Sequence, residues 1–292
     1  DTGSNEVEDC IDCIAGRYVE VTGSDQGADC IACAMGKFST VVGSAFEADC
    51  TDCLLGKYIA LPGSDEPSDC IACALGKYST TVGSQTESNC INCIAGKYID
   101  VVGSDSPVDC IDCPIGQYLD SPGNDDLTDC IDCIAGTYID VTGSDELSDC
   151  IDCPLGKYLD SPGNGHLEDC IDCIVGTYID VTGSDALSDC IDCVVGKWLG
   201  TTGNDNLDDC IDCIAGKYLE TTGSDATTDC IDCIAGRYVE VTGSDEEADC
   251  IQCALGKFSP VVGSSFETDC TNCPVGKYID VTGSDALSDC ID

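Results

Sequence analysis

The chain is poor in the residues that usually build a large globular core. Its 292 residues include one Trp, one Met and four Phe. It has only 11 Lys and Arg residues but 56 Asp and Glu residues, so its formal net charge is −45. Phosphate binding requires a positive footprint. We therefore expect no nucleic acid as a partner, and anionic membrane surfaces are disfavoured for the same reason.

Catalytic and membrane-spanning signals are also scarce. No apolar run is long enough to cross a bilayer, so we expect no direct membrane insertion of this segment. There is no phosphate-binding loop or nucleophile elbow, and the single histidine, His166, has no Cys or Ser arranged around it. Asp1-Thr2-Gly3-Ser4 matches the signature of aspartic proteases, but later copies of the segment lack the carboxylate. The sequence predicts that the protein is not an enzyme.

What the chain does contain is one unit repeated every 20 residues without insertion or deletion. A Cys-x-x-Cys pair recurs from Cys10 and Cys13 to Cys270 and Cys273, and Cys290 opens a further copy. We number the positions of this repeat 1–20 from its first cysteine. The predicted organisation is the end of a truncated preceding unit at 1–9, fourteen tandem repeats at 10–289, and the start of a truncated further unit at 290–292. A unit this small needs neighbours and cross-links to hold its shape.

Cysteine supplies 29 of the 292 residues, which is typical of an extracellular disulfide scaffold. We predict that position 4 of each repeat bonds position 1 of the next. A bond inside each Cys-x-x-Cys, or a four-cysteine zinc site, is the alternative. The predicted bonds are Cys13 with Cys30, Cys33 with Cys50, Cys53 with Cys70, Cys73 with Cys90, Cys93 with Cys110, Cys113 with Cys130, Cys133 with Cys150, Cys153 with Cys170, Cys173 with Cys190, Cys193 with Cys210, Cys213 with Cys230, Cys233 with Cys250, Cys253 with Cys270, and Cys273 with Cys290.

Four further positions are nearly constant. Position 9 holds every Tyr, and position 8 holds every Lys and Arg, which predicts a basic stripe in an acidic protein. Positions 7 and 14 are glycine, and Pro-Gly pairs such as Pro122-Gly123 predict a type II turn with positive φ at position 14. Residues 217–221 then predict a short strand. We expect Tyr18, Ile11 and their equivalents to fill the seam between repeats.

Acidic residues concentrate at positions 3, 11, 16 and 20. Oxygen ligands at this density suit calcium, although the spacing matches no EF-hand loop. The best candidates for a calcium site are Asp145 with Asp149, and Asp185 with Asp189, because each pair places two carboxylates four residues apart. The alternative is a solvated acidic face in which the position-20 carboxylate accepts hydrogen bonds from amides of its own turn.

The order of cysteines, glycine, tyrosine and Gly-Ser within residues 210–224, repeated from Cys10 onward, resembles the ephrin-receptor-like cysteine-rich repeats. It is more loosely similar to tumour-necrosis-factor-receptor and EGF-type modules. The resemblance implies small disulfide-tied β-hairpins stacked into elongated ectodomains that serve adhesion, spacing or ligand binding. The chain departs from such repeats in its invariant spacing, and in having proline after the second cysteine only at Pro114, Pro154 and Pro274.

The predicted fold class is a small disulfide-rich repeat or solenoid of short β-hairpins and turns, an elongated rod with almost no helix. The predicted function is that of an extracellular structural protein whose rods associate with like chains, through self-association or lateral packing, into a fibre or surface filament. O-glycans are compatible with the Ser and Thr beside the turn glycine. Alternatives are the stalk of a receptor or adhesin, and an ice- or mineral-binding surface built on the position-13 threonines.

Overall fold

The computed structural model describes residues 11–24 and 26–292. They form two compact units, one within Asp1–Cys133 and Ile139–Cys150, the other comprising Ile134–Tyr138 and Ile151–Asp292. Each unit consists of two-residue antiparallel strand pairs and three-residue 3-10 turns, and the described residues contain no α-helix. The predicted class, a disulfide-stapled repeat of short hairpins, is therefore confirmed. Residues 1–9, predicted to end a preceding repeat, and Cys10 lie outside the described residues.

The strands pair position 8 of one repeat with position 3 of the next, and position 9 with position 2, as in Lys97 with Asp112 and Tyr98 with Ile111. In the first unit the pairs are Arg17–Tyr18 with Ile31–Ala32, Lys37–Phe38 with Thr51–Asp52, Lys57–Tyr58 with Ile71–Ala72, Lys77–Tyr78 with Ile91–Asn92, Lys97–Tyr98 with Ile111–Asp112, and Gln117–Tyr118 with Ile131–Asp132. In the second unit they are Thr137–Tyr138 with Ile151–Asp152, Lys157–Tyr158 with Ile171–Asp172, Thr177–Tyr178 with Ile191–Asp192, Lys197–Trp198 with Ile211–Asp212, Lys217–Tyr218 with Ile231–Asp232, Arg237–Tyr238 with Ile251–Gln252, and Lys257–Phe258 with Thr271–Asn272.

A 3-10 turn ends each repeat at positions 18–20, immediately before the next cysteine. These turns are Gly27–Asp29, Glu47–Asp49, Pro67–Asp69, Glu87–Asn89, Pro107–Asp109, Leu127–Asp129 and Leu147–Asp149 in the first unit, and Leu167–Asp169, Leu187–Asp189, Leu207–Asp209, Thr227–Asp229, Glu247–Asp249, Glu267–Asp269 and Leu287–Asp289 in the second.

The predicted strand at 217–221 is shorter in the structure, where it covers Lys217–Tyr218. The next amide, that of Leu219, leaves the hairpin and donates to the carbonyl of Ser244 at 3.1 Å. Position 10 therefore turns to a second partner, position 15 of the following repeat. Because both edges of this short segment are hydrogen-bonded to the following repeat, each repeat depends on the one after it.

Candidate functional site

The disulfides form a ladder that joins successive repeats. Position 4 bonds position 1 of the next repeat from Cys13–Cys30 through Cys273–Cys290, with Cα atoms 5.7 to 5.9 Å apart. The structure thus brings together both members of each predicted pair. The position-4 cysteine is buried in thirteen of the fourteen bonds, as in Cys113, which is fully inaccessible, and Cys273 is partly buried. On the chain-entropy estimate, each ring contributes roughly 3 kcal/mol of stability.

Nine of the disulfides pack against one aromatic and one aliphatic side chain to form small apolar clusters. One such cluster contains Tyr98 from position 9, Leu119 from position 10 of the next repeat, and the Cys113–Cys130 disulfide. Leu119 is only 2% exposed, whereas Ile111, at position 2, is 44% exposed. The prediction that position 2 fills the seam is therefore wrong, and the buried aliphatic residue is at position 10. Position 2 instead pairs across the strands with the aromatic residue of the preceding repeat.

The sequence pattern did not indicate that position 10 is a core position, because three repeats have serine there. Ser39, Ser79 and Ser259 occupy it and are almost completely buried. The hydroxyl of Ser79 lies 3.1 Å from that of Ser84, which in turn donates to the carbonyl of Thr81 at 2.9 Å. Where position 10 is aliphatic, the position-15 hydroxyl has no serine hydroxyl beside it to bond. Among the described residues, the buried hydroxyls of Ser144, Ser184 and Ser244 accept and donate no hydrogen bond. A paired serine at position 10 is the signal that would have revealed the core.

Nine of the 11 basic residues of position 8 form ion pairs within the chain. The Lys97 ammonium lies 2.6 Å from Asp112, its cross-strand partner, and Lys197 lies 2.8 Å from Asp212 in the same arrangement. The hydrogen bond from Lys197 is the main reason that the pKa of the Asp212 carboxyl is lowered. The predicted basic stripe is therefore largely neutralised, in six repeats by position 3 of the next repeat and in three by the glutamate at position 18 of the same repeat. Such partly exposed pairs contribute up to about 1 kcal/mol each.

The acid of position 20 organises the turn that precedes it. The Asp149 carboxylate accepts hydrogen bonds from the backbone amides of Asp145 at 3.1 Å and Glu146 at 3.2 Å. Asn89, the one asparagine at this position, accepts the equivalent pair through its amide oxygen. An oxygen acceptor is thus what position 20 requires, and a negative charge is not.

The four predicted calcium ligands lie in two such turns. Asp145 contacts Asp149 through its backbone amide, and Asp185 contacts Asp189 in the same way at 3.1 Å. Over residues 11–24 and 26–292, no three acidic, His or Cys side chains are arranged to hold a metal ion. The structure gives these carboxylates a role in the turn, and calcium at them stays a prediction.

Both glycine positions have positive φ, which confirms the predicted turn conformation at position 14 and adds position 7. Position 7 has a further constraint, because it touches the repeat after next. A Cβ atom added to Gly56 would lie 2.0 Å from the carbonyl oxygen of Gly103. Two backbones meet there with no space for any side chain, so the glycine–glycine contact fixes how closely alternate repeats approach.

Four of the threonines at position 13, the basis of the ice-binding alternative, donate their hydroxyls within the chain. Thr182 donates to Asp152 at 3.2 Å, and Thr242 donates to Asp212 at 3.3 Å. These hydroxyls are already hydrogen-bonded to carboxylates of the preceding repeat. His166 is exposed and contacts the turn through its backbone: its amide donates to the Asp169 carboxylate at 2.9 Å, and its carbonyl accepts from the Asp169 amide at 3.0 Å. In the described part of the chain, no helix has the length and apolar character needed to cross a membrane.

The ladder, the clusters around it and the hydrogen-bonded turns define a disulfide-rich tandem-repeat protein. A family model for ephrin-receptor repeats, described as "Tyrosine-protein kinase ephrin type A/B receptor-like", matches residues 104–150, 141–190, 200–250 and 242–290. These matches cover more than half of the chain, which therefore belongs to the ephrin-receptor-like cysteine-rich repeat family, a family of non-catalytic receptor-type domains. No curated protein matches the sequence significantly.

Proposed function

We propose that this chain is an extracellular structural protein whose disulfide-linked repeats assemble with like chains into a fibre or surface filament. The family and the fourteen disulfides already indicate an extracellular, receptor-type ectodomain module. The proposal goes further in assigning it a mechanical role. It rests on how uniform the connection between repeats is.

The observation that carries the proposal is one connection repeated without change within each compact unit. In the first unit, Gly56 donates to Ser79 of the next repeat at 2.8 Å, and Cys73 of that repeat donates back to Gly56 at 2.8 Å. In the second unit, Gly216 and Val239 make the first of these bonds at 2.9 Å. Nearest-neighbour contacts of this kind add along an array. Together with the covalent ladder, they suit a protein that transmits force or sets a spacing.

Exposed apolar side chains support lateral association. Position 12 places Val141 and Val181 at the surface, each 57% exposed. Two exposed aromatic residues stand out at position 17, Phe46 at 65% and Phe266 at 57%, where other repeats have polar or small residues. Exposed apolar surface that recurs at fixed spacing is typical of protein contacts. These residues are the candidates for the contact between neighbouring chains.

Electron microscopy and sedimentation velocity of the native protein test this proposal. Alanine already occupies position 17 in other repeats, so the double variant Phe46→Ala with Phe266→Ala should fold normally. Because it removes exposed apolar surface, it should reduce the number of fibres and the sedimentation coefficient. The matched control, Thr86→Ala with Ser106→Ala, changes the same position without removing apolar surface and should leave assembly unchanged. Native material found as monomers at all protein and cation concentrations would refute the fibre.

Family membership favours a second candidate, the stalk of a receptor or adhesin. In that case the repeats space a binding domain away from a cell surface and need no lateral contact. The full-length coding sequence distinguishes the two, because a stalk requires a membrane anchor and a separate terminal domain. Monomeric behaviour of the repeats together with such domains would favour the stalk.

A further inference from the structure

Three cavities recur at one place in the first compact unit, between the turn after position 11 and position 2 of the next repeat. Their volumes are about 370 Å³ beside Val21, 530 Å³ beside Leu61 and 330 Å³ beside Val101. They lie two repeats apart, within residues 19–31, 59–71 and 100–111. We call these three the alternate-repeat cavities.

Repeats that carry these cavities contact one another directly. Gly16 in the first of them meets the carbonyl of Gly63 in the second, and Gly56 in the second meets that of Gly103 in the third. The cavities thus belong to a series of touching repeats within one compact unit. An extended ligand can follow such a series and enter one cavity after another.

Each cavity combines apolar walls with carboxylates. Leu61 and Ile71 line the largest, and they are 73% and 52% exposed. Asp65 and Asp69 line the same cavity. The arrangement therefore offers an aliphatic surface and negative charge to a single side chain.

Position 16 separates the cavity-bearing repeats from those between them. The second and third cavities have Asp65 and Asp105 at this position, whereas the intervening repeats have Ala45 and Gln85. The second and third cavities therefore each carry a carboxylate that the repeats between them lack. This makes a cation the complementary partner of the series.

Lysine and arginine fit this chemistry, because their aliphatic stems pack on apolar surface while the charged end pairs with carboxylates. The chain itself is a poor source of them. Position 8 contains all 11 basic residues, and nine of these form ion pairs within the chain, as Lys37 does with Asp52 and Lys97 with Asp112. A second copy would also add another net charge of −45. The occupant must therefore come from a different, basic protein.

We propose that the alternate-repeat cavities bind an extended lysine- or arginine-rich segment of another protein, with one basic side chain in each cavity. This interaction is independent of the fibre, because it requires neither the exposed phenylalanines nor contact between like chains. Each cavity alone binds weakly, and the series gains affinity by multivalency. A basic partner also reduces the charge repulsion that opposes packing of these acidic chains.

Fluorescence anisotropy with a labelled oligolysine, measured on the full chain at physiological salt, tests the proposal. The double variant Asp65→Asn with Asp105→Asn should weaken binding by about fivefold, as expected for two partly exposed ion pairs. The control, Glu87→Gln with Asp132→Asn, removes the same charge outside the cavities and should have a much smaller effect. Equal losses from the two double variants would show nonspecific charge attraction and overturn the proposal.

The apolar walls provide a second, uncharged test. Threonine occupies position 12 in repeats such as that of Thr81, so Leu61→Thr with Val101→Thr should fold normally. We expect this variant to weaken oligolysine binding by about threefold, since the lysine stems lose apolar contact. Unchanged affinity would contradict insertion into the cavities. If oligolysine fails to bind while the chain self-associates, the basic partner is refuted and the fibre is not.

Discussion

Two glycines with nearly the same backbone conformation provide a direct test of how alternate repeats pack. Gly56 has φ of 74° and Gly103 has φ of 75°. An alanine at either position carries the same left-handed backbone cost, on the order of 1 to 2 kcal/mol. The two differ in space, because a Cβ on Gly103 would meet Ala72 at an ordinary 3.4 Å, whereas one on Gly56 would lie 2.0 Å from the Gly103 carbonyl oxygen.

The magnitude follows from this difference. Gly103→Ala should destabilise its repeat by the backbone term alone, about 1 to 2 kcal/mol. Gly56→Ala must also move two backbones apart, which adds roughly 1 to 3 kcal/mol for overpacking. The shift strains the bonds that Gly56 makes with Ser79 and Cys73, each at 2.8 Å and worth about 1 kcal/mol. The expected total for Gly56→Ala is about 3 to 5 kcal/mol.

Native-state hydrogen exchange is the suitable assay, because a long repeat array does not have a single unfolding free energy. The Cys73 amide, which donates to Gly56, should exchange about a hundredfold faster in Gly56→Ala than in Gly103→Ala, corresponding to roughly 3 kcal/mol between the variants. The Cys233 amide makes the same bond in the second unit and is an internal reference. If the two variants change Cys73 exchange equally, the close contact between alternate repeats does not exist as described.

Three further outcomes follow from the ladder, the turns and the tyrosines. Replacing Cys113 and Cys130 together by alanine should cost about 3 kcal/mol locally, measured by exchange of flanking amides, and no change would refute the entropic role of that disulfide. Asp149→Ala should destabilise its turn by about 1 kcal/mol. Asp149→Asn should cost little, since Asn89 already makes the same bonds in its own turn. Equal destabilisation by the two variants would show that position 20 requires a negative charge. Burial, followed by the charges of nearby glutamates, raises the pKa of Tyr218. The stability that this shift contributes is complete below the unfolded-state pKa and is lost as pH rises through the folded one. The pKa values of Tyr18 and Tyr238 are raised for the same reasons, so alkaline absorbance titration should show a late tyrosine phase whose amplitude is smaller in the Tyr218→Phe variant; an unchanged titration would contradict this.

The period, the hairpins and the turn glycines could be predicted from sequence because each has a local cause. Pro122-Gly123 and its equivalents require a turn with positive φ, and Gly123 has φ of 82°. Aromatic residues beside β-branched ones indicate strands. The length of the strand could not be predicted, because Leu219 leaves its hairpin for the carbonyl of Ser244, which lies in the next repeat. That choice of partner is a tertiary contact with no local signature.

The core position was missed for a related reason. The isoleucine of position 2 is more uniform than the residue at position 10, which varies among Ile, Leu, Val and Ser. Uniformity suggested burial, yet Ile131 is 43% exposed while Leu119 is 2% exposed. Position 10 tolerates variation because serine there, as in Ser79, finds a hydroxyl partner in Ser84. Likewise, only the close approach of alternate repeats shows why Gly56 cannot carry a side chain.

The acidic residues separate into those that the fold uses and those that it does not. Asp149 bonds its own turn, and Asp112 pairs with Lys97 across the strands. Asp65 and Asp105, by contrast, accept no hydrogen bond among the described residues and contribute only their backbone amides to the turn. Since the fold does not need their charge, Asp→Asn substitutions at these two positions should leave the stability of the protein unchanged. Any loss of affinity for a basic partner can then be attributed to the binding site itself.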